Sequence, residues 1–389
     1  MTRKKYGWIC RALAAAFAVL FFAAGSAGAE TLGFARLADS TNVRSGTTVK
    51  GGALDPGNVI YRLKENDIVY IFDTQAGTDG DTWYHITCQY NDDGTLRARQ
   101  GWISSKTAER GLFQSVVSVS AGNSGFLALR EDGTVCGAAR LGNRTSSFYR
   151  DIAALEGVAS VRAGDDFYVC VFKDGQEFAL GREPGSNPVH SAGTVVLDVF
   201  QGERSILTRE GGLFSTADLH WVYPKGMPDL TKVRDAVQKQ GSLFLLMEDG
   251  TVACATFESG VFFIMGEDFP DFSALREVVS VDTVLWHPQD VYFYEVFAAV
   301  REDGTPWISP RAVEILTDGW TDLKQISLAA DYLVGVRKDG RVYAAGRSQE
   351  IVEEVSAWTE IAAVSCADTY CVGLRQDGTL VFAGKFDFE

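Results

Sequence analysis

The sequence has little of what most enzymes and metalloproteins rely on. It contains only four histidines, none paired at the spacing of a metal site, and no Cys-x-x-Cys pair. It also lacks a phosphate-binding loop, a dinucleotide-binding glycine motif and a Gly-x-Ser-x-Gly elbow. These absences predict a protein that is not an enzyme, with no catalytic residues, no metal ion and no cofactor.

Positive charge and proline are scarce as well. The 36 Lys and Arg are outnumbered by 51 Asp and Glu, which gives a net charge of −15. Binding to a phosphate backbone or to anionic lipid needs clustered Lys and Arg, so neither nucleic acid nor a lipid surface is an expected partner. Only 9 Pro stand beside 40 Gly, a balance that suits many short strands joined by tight turns.

The N-terminus has the order of an export signal. Residues 3–5 are basic, residues 12–24 are apolar, and the small residues Ala27 and Ala29 follow. This order predicts a signal peptide over residues 1–29 that is cleaved after Ala29. The apolar run is short for a bilayer span, although an uncleaved anchor is the alternative. Cleavage would change the net charge from −15 to −19, and no later stretch is apolar enough to span a membrane. We therefore expect a protein that is secreted or held at the cell surface.

Residues 34–106 predict a small all-β barrel, because five short runs rich in β-branched and aromatic residues alternate with turns. Four phrases mark this segment: Asn42-Val43-Arg44-Ser45-Gly46, Leu63-Lys64-Glu65-Asn66-Asp67, Trp83-Tyr84-His85-Ile86 and Gly101-Trp102-Ile103. Together they resemble the bacterial Src-homology-three domain. Asn66 stands where that family usually has Gly, and residues 88–99 lengthen a loop that is usually short.

This resemblance implies an exported bacterial protein whose barrel binds peptidoglycan or another cell-wall polymer. By position, Arg44, Trp83, Tyr84 and Trp102 are candidates to line a ligand groove, since aromatic faces and a cation suit glycans and peptides. The alternative is that Trp83 and Trp102 are core residues of a very small barrel, which we favour for Trp102.

Residues 112–389 contain a phrase that recurs seven times. In each copy an acid followed by Gly forms the turn between two predicted strands. The seven pairs are Asp132-Gly133, Asp174-Gly175, Glu210-Gly211, Asp249-Gly250, Asp303-Gly304, Asp339-Gly340 and Asp377-Gly378. A branched aliphatic residue stands three positions before every acid, and an aromatic anchor such as Trp320 or Trp358 lies upstream. A repeat of this length with several short strands predicts a seven-bladed β-propeller, whose recurrent acids are turn residues.

The repeats resemble those of the regulator of chromosome condensation family in its bacterial form. The phrases Val372-Gly373-Leu374-Arg375-Gln376-Asp377-Gly378 and Trp358-Thr359-Glu360-Ile361 carry this resemblance. It implies a seven-bladed propeller. The family usually has a His before the second strand, and this sequence has none there: six of the positions hold Gly125, Phe167, Ser242, Val296, Tyr332 and Tyr370. The nucleotide exchange and chromatin binding of the eukaryotic founder are therefore not carried over.

One repeat is longer than the others. The glycines of successive Asp/Glu-Gly pairs are 54 residues apart between Gly250 and Gly304, against 36 to 42 elsewhere. The extra residues are rich in aromatics, and the candidate partner-binding residues are Trp286, His287, Tyr292, Phe293 and Tyr294. Inserted loops on rigid scaffolds often bind partners. A lengthened hairpin packed on its own blade is an equal alternative.

Two questions stay open at this level. Cys366 and Cys371 fall on neighbouring strands and are either opposed for a bridge or, as we favour, small apolar fillers. For function, the leading hypothesis is an exported binding protein whose barrel contacts cell-wall polymer and whose propeller is a scaffold for an unidentified protein. The alternatives are a wall hydrolase or other enzyme with a site in the propeller channel, and a structural surface spacer.

Overall fold

A computed structural model describes most of the chain between Gly33 and Lys385. The described residues are 33–47, 57–65, 67–78, 80–92, 95–109, 113–139, 148, 151–164, 167–174, 177–181, 195–200, 203–207, 213–215, 221–222, 228–239, 242–257, 272, 275–286, 294–309 and 317–385. Residues 33–389 form one compact unit. The predicted signal peptide lies outside the described residues, and the division between residues 34–106 and 112–389 stays a prediction.

The N-terminal part folds into one antiparallel sheet of seven strands in the order β3-β2-β6-β5-β4-β1-β7. Its strands are β1 (Gly33–Leu37), β2 (Thr41–Arg44), β3 (Val59–Leu63), β4 (Ile68–Ala76), β5 (Thr82–Asp92), β6 (Thr95–Ser104) and β7 (Ala108–Glu109), with a 3-10 turn at Ser105–Thr107. Alternate residues of these strands, including Val43, Ile86 and Ile103, form a core that excludes solvent. The sheet is consistent with the predicted small barrel.

The described part of residues 116–384 forms seven small antiparallel sheets, which we call blades 1 to 7 in chain order. Blade 1 is β8 (Val116–Gly122), β9 (Gly125–Arg130) and β10 (Val135–Ala139); blade 2 is β11 (Val158–Ala163), β12 (Phe167–Phe172) and β13 (Glu177–Gly181); blade 3 is β14 (Val195–Phe200), β15 (Glu203–Leu207) and β16 (Leu213–Ser215). Blade 4 is β17 (Trp221–Val222), β18 (Val233–Lys239), β19 (Ser242–Met247) and β20 (Val252–Phe257), with a 3-10 turn at Leu230–Lys232 directly before β18. Blade 5 is β21 (Val278–Trp286), β22 (Tyr294–Arg301) and β23 (Pro306–Ile308); blade 6 is β24 (Leu323–Leu328), β25 (Tyr332–Arg337) and β26 (Val342–Gly346); blade 7 is β27 (Ile361–Cys366), β28 (Tyr370–Arg375) and β29 (Leu380–Gly384).

The blades close into a ring. Each blade packs against the next one, and blade 7 packs against blade 1 through β27, β28 and β8. Apolar side chains of both blades share one cluster at this seam, including Phe126 from blade 1 and Tyr370 from blade 7. The prediction of an all-β propeller is confirmed.

At the five Asp-Gly turns that the structure describes, the repeated turn joins a blade to the one after it. Gly378 has φ of 81°, a left-handed conformation that Gly adopts at little cost, and its carbonyl accepts a hydrogen bond of 2.9 Å from the Val116 N–H in the next blade around the ring. The carbonyls of Gly133, Gly250, Gly304 and Gly340 accept equivalent bonds from the first strand of the following blade. The turn predicted from the sequence as a local hairpin signal is thus also the contact between blades.

The recurrent acids stabilise these turns. Asp377 Oδ1 accepts hydrogen bonds from the Thr379 N–H at 2.9 Å and the Thr379 hydroxyl at 2.6 Å. The bond from the threonine hydroxyl is the main reason that the pKa of the Asp377 carboxyl lies below its ordinary value. Asp132, Asp249 and Asp303 make the same pair of bonds to the threonine two residues on. Their carboxylates serve the turn, as predicted.

The spacing that recurs from repeat to repeat is explained by packing. The aliphatic residue three positions before the acid is buried wherever its side chain is described, as in Val336 and Val300 at 0% exposure. In blades 6 and 7 the residue before it is Gly, which makes room for the aromatic anchor. A Cβ on Gly373 would lie 2.7 Å from the Trp358 ring, and one on Gly335 would lie 3.0 Å from the Trp320 ring. The predicted anchors therefore pack directly on the middle strand of their own blade.

An α-helix, α1 (Gln349–Ser356), links blades 6 and 7 and buries Ile351 and Val355 against them. Over the described residues, none of the helices has the length and apolar character needed to span a bilayer.

Candidate functional site

The N-terminal sheet carries a row of polar and aromatic side chains across its outer face. Strand pairing sets Arg44 on β2 opposite Trp102 on β6, Trp102 opposite His85 on β5, and His85 opposite Asp73 on β4. Their neighbours on the strands, such as Val43, Tyr84 and Ile103, point into the core. Since side chains alternate along a strand, the four residues share the side away from that core. We call Arg44, Trp102, His85 and Asp73 the outer row.

Aromatic stacking organises the centre of the outer row. The His85 and Trp102 rings lie parallel, with centroids 4.4 Å apart and an interplanar angle of 5°. Arg44 is fixed at one end, where its Nη1 donates a 2.9 Å hydrogen bond to Asn58 Oδ1. Trp102, His85 and Arg44 are half-buried and Asp73 is exposed. The row therefore presents a cation, a flat aromatic pair and a carboxylate in sequence to the solvent.

The imidazole of the outer row is biased toward its neutral form. Partial burial lowers the pKa of His85, and the nearby Asp73 carboxylate opposes this shift with a smaller effect. A neutral imidazole offers one hydrogen-bond donor and one acceptor, which suits hydroxyl and amide groups of a ligand. The electrostatic character of the row thus comes mainly from Arg44 and Asp73 at its two ends.

Two of the four predicted groove residues do not reach the surface. Trp83 is 3% exposed and Tyr84 is 4% exposed, so neither side chain is available to a polymer outside the sheet. Tyr84 packs in the core of the N-terminal sheet. The preference for Trp102 as the core tryptophan is wrong, because Trp102 is half-buried in the outer row while Trp83 is the buried one.

His85 and Asp73 were missed by sequence reasoning. The signal for His85 was present, because it alternates with the core residues Tyr84 and Ile86 on a predicted strand. Placing that strand beside Gly101-Trp102-Ile103 in antiparallel register would have set His85 opposite Trp102. Asp73 was harder to find, since an irregularity between Ile71 and Asp73 shifts the register of β4 against β5.

A second candidate is the central channel of the propeller. Strands β8, β11, β18, β21, β24 and β27, one from each of blades 1, 2, 4, 5, 6 and 7, line a cavity of about 150 Å³. Its polar lining includes Arg162, Asp235, Asp282, Gln325 and Ser327. Arg162 and Asp235 approach to 3.5 Å and are about half exposed. The channel was the place where the alternative enzymatic hypothesis put a site.

Most polar groups of the channel bond to the neighbouring blade. Asp282 Oδ2 of blade 5 accepts hydrogen bonds from the Leu328 N–H at 2.7 Å and the Ser327 hydroxyl at 3.2 Å, both in blade 6. Its Oδ1 accepts from the Thr283 N–H at 2.8 Å. With both oxygens engaged by the fold, Asp282 is poorly placed to act as a general base.

The same pattern continues around the ring. The Gln325 side chain of blade 6 both donates to and accepts from the backbone of Val364 in blade 7. At the seam, the Ser365 hydroxyl of blade 7 accepts from the Ala121 N–H of blade 1 at 2.9 Å. The first strand of a blade is an edge strand, whose free N–H groups need partners. The side chains of the adjacent blade supply them, so the channel lining is mainly structural.

Tyrosines stand at two of the positions where the resembling family has His. The Tyr332 hydroxyl of blade 6 lies 2.6 Å from the carbonyl oxygens of both Ala367 and Tyr370 in blade 7. The Tyr370 hydroxyl in turn donates to the Gly122 carbonyl of blade 1 at 2.7 Å. Burial raises the pKa of both hydroxyls well above the usual value, which keeps them protonated as donors. These residues link three successive blades around the seam.

The long repeat forms an extended hairpin. The described pairing of β21 with β22 runs from Val278↔Arg301 to Trp286↔Tyr294, whereas the β24–β25 pairing ends at Leu328↔Leu333. The backbones of Trp286 and Tyr294 are therefore opposite each other at the far end of this hairpin. His287, Tyr292 and Phe293 lie outside the described residues. The partner-binding role of this hairpin stays a prediction.

No three His, Cys, Asp or Glu residues come together as metal ligands within the part of the chain that the structure describes.

Comparisons with known proteins return likenesses of fold. The chain matches no protein-family model and no curated relative. Among solved structures it is similar to Prp20p, the RCC1 protein of Saccharomyces cerevisiae, described for its binding to Gsp1p and histones, at 13% identity over 92% of each chain with a TM-score of 0.44. It is also similar to the ectodomain of the receptor kinase CR4 from Physcomitrella patens, at 13% identity over 69% of this chain and 72% of that one, with a TM-score of 0.42. Human WBSCR16 matches at 14% identity over 89% of this chain and all of that one, with a TM-score of 0.36. At such low identities and TM-scores these likenesses carry no argument about function.

Proposed function

We propose that the protein is an exported bacterial binding protein whose N-terminal sheet contacts cell-wall polymer through the outer row. The observation that carries the proposal is the arrangement of Arg44, Trp102, His85 and Asp73 as cross-strand neighbours, with Trp102 and His85 stacked. A flat aromatic pair suits the apolar face of a sugar ring. The flanking cation and carboxylate suit the carboxylates and amines of a wall peptide.

The signal peptide predicted over residues 1–29 supports the same proposal, because an exported chain reaches the wall. The propeller acts as a rigid scaffold for a protein partner, with the extended β21–β22 hairpin as the proposed contact. Its inner polar groups are largely engaged in bonds between blades, as at Asp282 and Gln325. Binding by the propeller therefore falls to its loops and outer surfaces, and we propose no enzymatic activity in the channel.

Retention on purified peptidoglycan tests the proposal for the outer row. The mature protein is sedimented with insoluble peptidoglycan, and bound and free fractions are measured. Trp102→Ala removes the stacked ring, for which we expect about a tenfold loss of affinity, since aromatic contacts at the centre of an interface contribute about 1–2 kcal/mol. Asp132→Ala, which alters an exposed turn of blade 1, is the matched control and should bind as the wild type does.

Far-UV circular dichroism and thermal melting check that the control and the variant are both folded. If the wild-type protein is not retained, or if Trp102→Ala is retained equally well, the outer row is not a polymer site. Detection of the unprocessed N-terminus inside the cell would separately overturn the proposed export.

A further inference from the structure

Cys366 and Cys371 face each other in the last blade. Cys366 ends β27, Cys371 is the second residue of β28, and their Cα atoms are directly paired across the two strands. The next pair toward the hairpin tip, Ala367 and Tyr370, is a hydrogen-bonded pair, since the Ala367 N–H donates to the Tyr370 carbonyl at 2.9 Å. Bonded and non-bonded pairs alternate in antiparallel sheets, so the cysteines form a non-hydrogen-bonded pair with Cα atoms about 4.5 Å apart. That separation lies within the range that disulfides span.

The two thiols are already in contact. Their Sγ atoms are 3.0 Å apart, and the residues are 4% and 0% exposed. The surrounding backbone is held in place, because the Cys366 N–H donates to Ser327 Oγ and the Tyr332 hydroxyl lies 2.6 Å from the carbonyl oxygens of Ala367 and Tyr370, to either of which it can donate. A bond between the sulfurs therefore needs no large movement of the chain.

The pairing is specific to this blade among the described residues. Cys136, Cys170 and Cys254 are buried in blades 1, 2 and 4, one in each blade. Burial raises the pKa of Cys136 and of Cys170 to about 12, which keeps each one a protonated thiol. Other blades have apolar residues at the positions equivalent to this cysteine pair. These are Ala121 and Phe126 in blade 1, and Leu328 and Leu333 in blade 6. Apolar side chains thus suffice for packing at this position.

We propose that Cys366 and Cys371 form a disulfide bond when the protein folds in the presence of a disulfide oxidant. The two thiols lose two protons and two electrons as the sulfur–sulfur bond forms. The disulfide of the oxidant, such as oxidised glutathione or a thiol–disulfide oxidoreductase, takes them up and leaves as two thiols. In the cell this inference rests on the proposed export, because disulfides persist in oxidising compartments.

The bond would reinforce the closure of the ring. Cys366 directly follows Ser365, and Cys371 directly follows Tyr370. The side chains of Ser365 and Tyr370 bond to the backbone of Ala121 and Gly122 in blade 1. A covalent link between β27 and β28 fixes the two strands that carry these contacts. The bond closes a short loop, so its effect on stability is modest.

The test is refolding of the purified protein in a buffer containing oxidised glutathione, with thiols counted after denaturation. We expect two fewer titratable thiols than in the reduced protein. Trypsin leaves both cysteines in one peptide, residues 348–375, so a second cleavage before Asp368 separates them. The two fragments should stay joined until a reductant is added.

Matched variants place the bond. After refolding with oxidised glutathione, Cys371→Ser should have as many titratable thiols as its reduced form. Cys170→Ser should still have two fewer than its reduced form. Reductant should lower the melting temperature of the wild type by about 4 °C. Reductant should not change the melting temperature of the double variant Cys366→Ala with Cys371→Ala. This comparison keeps the test valid if Cys371→Ser does not fold.

The outcomes separate this proposal from that of export. If all thiols remain titratable after refolding with oxidised glutathione, or if the bond maps to other cysteines, the disulfide proposal is overturned. If the bond forms on refolding and is also present in protein isolated from its own cells, both proposals are supported. A bond that forms on refolding but is absent in the cell supports the disulfide site and contradicts export.

Discussion

The N-terminal sheet and the propeller use their polar side chains in opposite ways. In the propeller, Asp282, Gln325 and Ser365 bond across to the next blade and complete the hydrogen bonding of its edge strand. In the N-terminal sheet, Arg44, Trp102, His85 and Asp73 form a row on the outer face of strands whose edges are already paired. The polar side chains that line the channel thus mainly join the blades, whereas those of the outer row lie on the outer face of the N-terminal sheet.

The difference follows from the two architectures. A propeller has one inner edge strand per blade, and every such edge exposes backbone groups that cost free energy if they are buried without a partner. In the N-terminal sheet, β2, β6, β5 and β4 are paired on both sides, so their side chains have no such role. A channel lined with carboxylates and hydroxyls is therefore not by itself a sign of catalysis.

The largest expected effect comes from removing a carboxylate that bridges two blades. Asp282→Ala leaves the Leu328 N–H, the Ser327 hydroxyl and the Thr283 N–H without their acceptor. We expect the free energy of unfolding to fall by about 3 kcal/mol, measured by urea denaturation. Asp73→Ala in the exposed end of the outer row should change it by less than about 0.5 kcal/mol. Equal losses for the two variants would contradict the distinction drawn between the regions.

A smaller effect is expected from a methyl group placed under an aromatic anchor. Gly373→Ala sets a Cβ 2.7 Å from the Trp358 ring and 2.8 Å from Val381. Overpacking of this kind costs about 1–3 kcal/mol, which chemical denaturation measures. Gly46→Ala, in the bend that follows β2, is the matched control, since no heavy atom lies within 4 Å of the added Cβ. A neutral Gly373→Ala would show that the anchor does not pack as described.

The smallest expected effect concerns Tyr70, where the two regions meet. Tyr70 of the N-terminal sheet packs against the cluster shared by blades 1 and 7. Burial, together with the charge of Glu354, raises its pKa from 10.0 to about 12. The folded state thus favours the neutral phenol, so this contribution to stability is complete below pH 10 and is lost as pH rises toward 12.

Melting temperatures measured across that pH range test this contribution. Tyr70→Phe carries no ionisable group, so its melting temperature should fall less between pH 10 and 12 than that of the wild type. Identical pH profiles for the two proteins would mean that Tyr70 is not buried at the seam.

Much of the fold could be predicted from the sequence because it repeats. A single Asp-Gly turn is a weak signal, but seven copies with an aliphatic residue in fixed register predict a ring of similar sheets. The bond from the Gly378 carbonyl to Val116 could not be predicted, since it joins positions 262 residues apart and depends on how the ring closes. The hydrogen bonds of Tyr332 and Tyr370 were hidden for the same reason.

The candidate site was predictable only in part. Arg44 and Trp102 were chosen from motif positions, and the structure sets them side by side. Trp83 and Tyr84 were misplaced, because two successive aromatic residues on a strand do not show which one faces solvent, and here both are buried. His85 and Asp73 required the pairing of three strands to be known.

Hydrogen–deuterium exchange with and without soluble peptidoglycan fragments tests the central claim most directly, because it compares the two regions in one experiment. The account predicts that ligand slows exchange in β2, β5 and β6 near Arg44, His85 and Trp102. It predicts no change in β21, β24 and β27, which line the channel. Protection of the channel strands without protection of the N-terminal sheet would contradict the account.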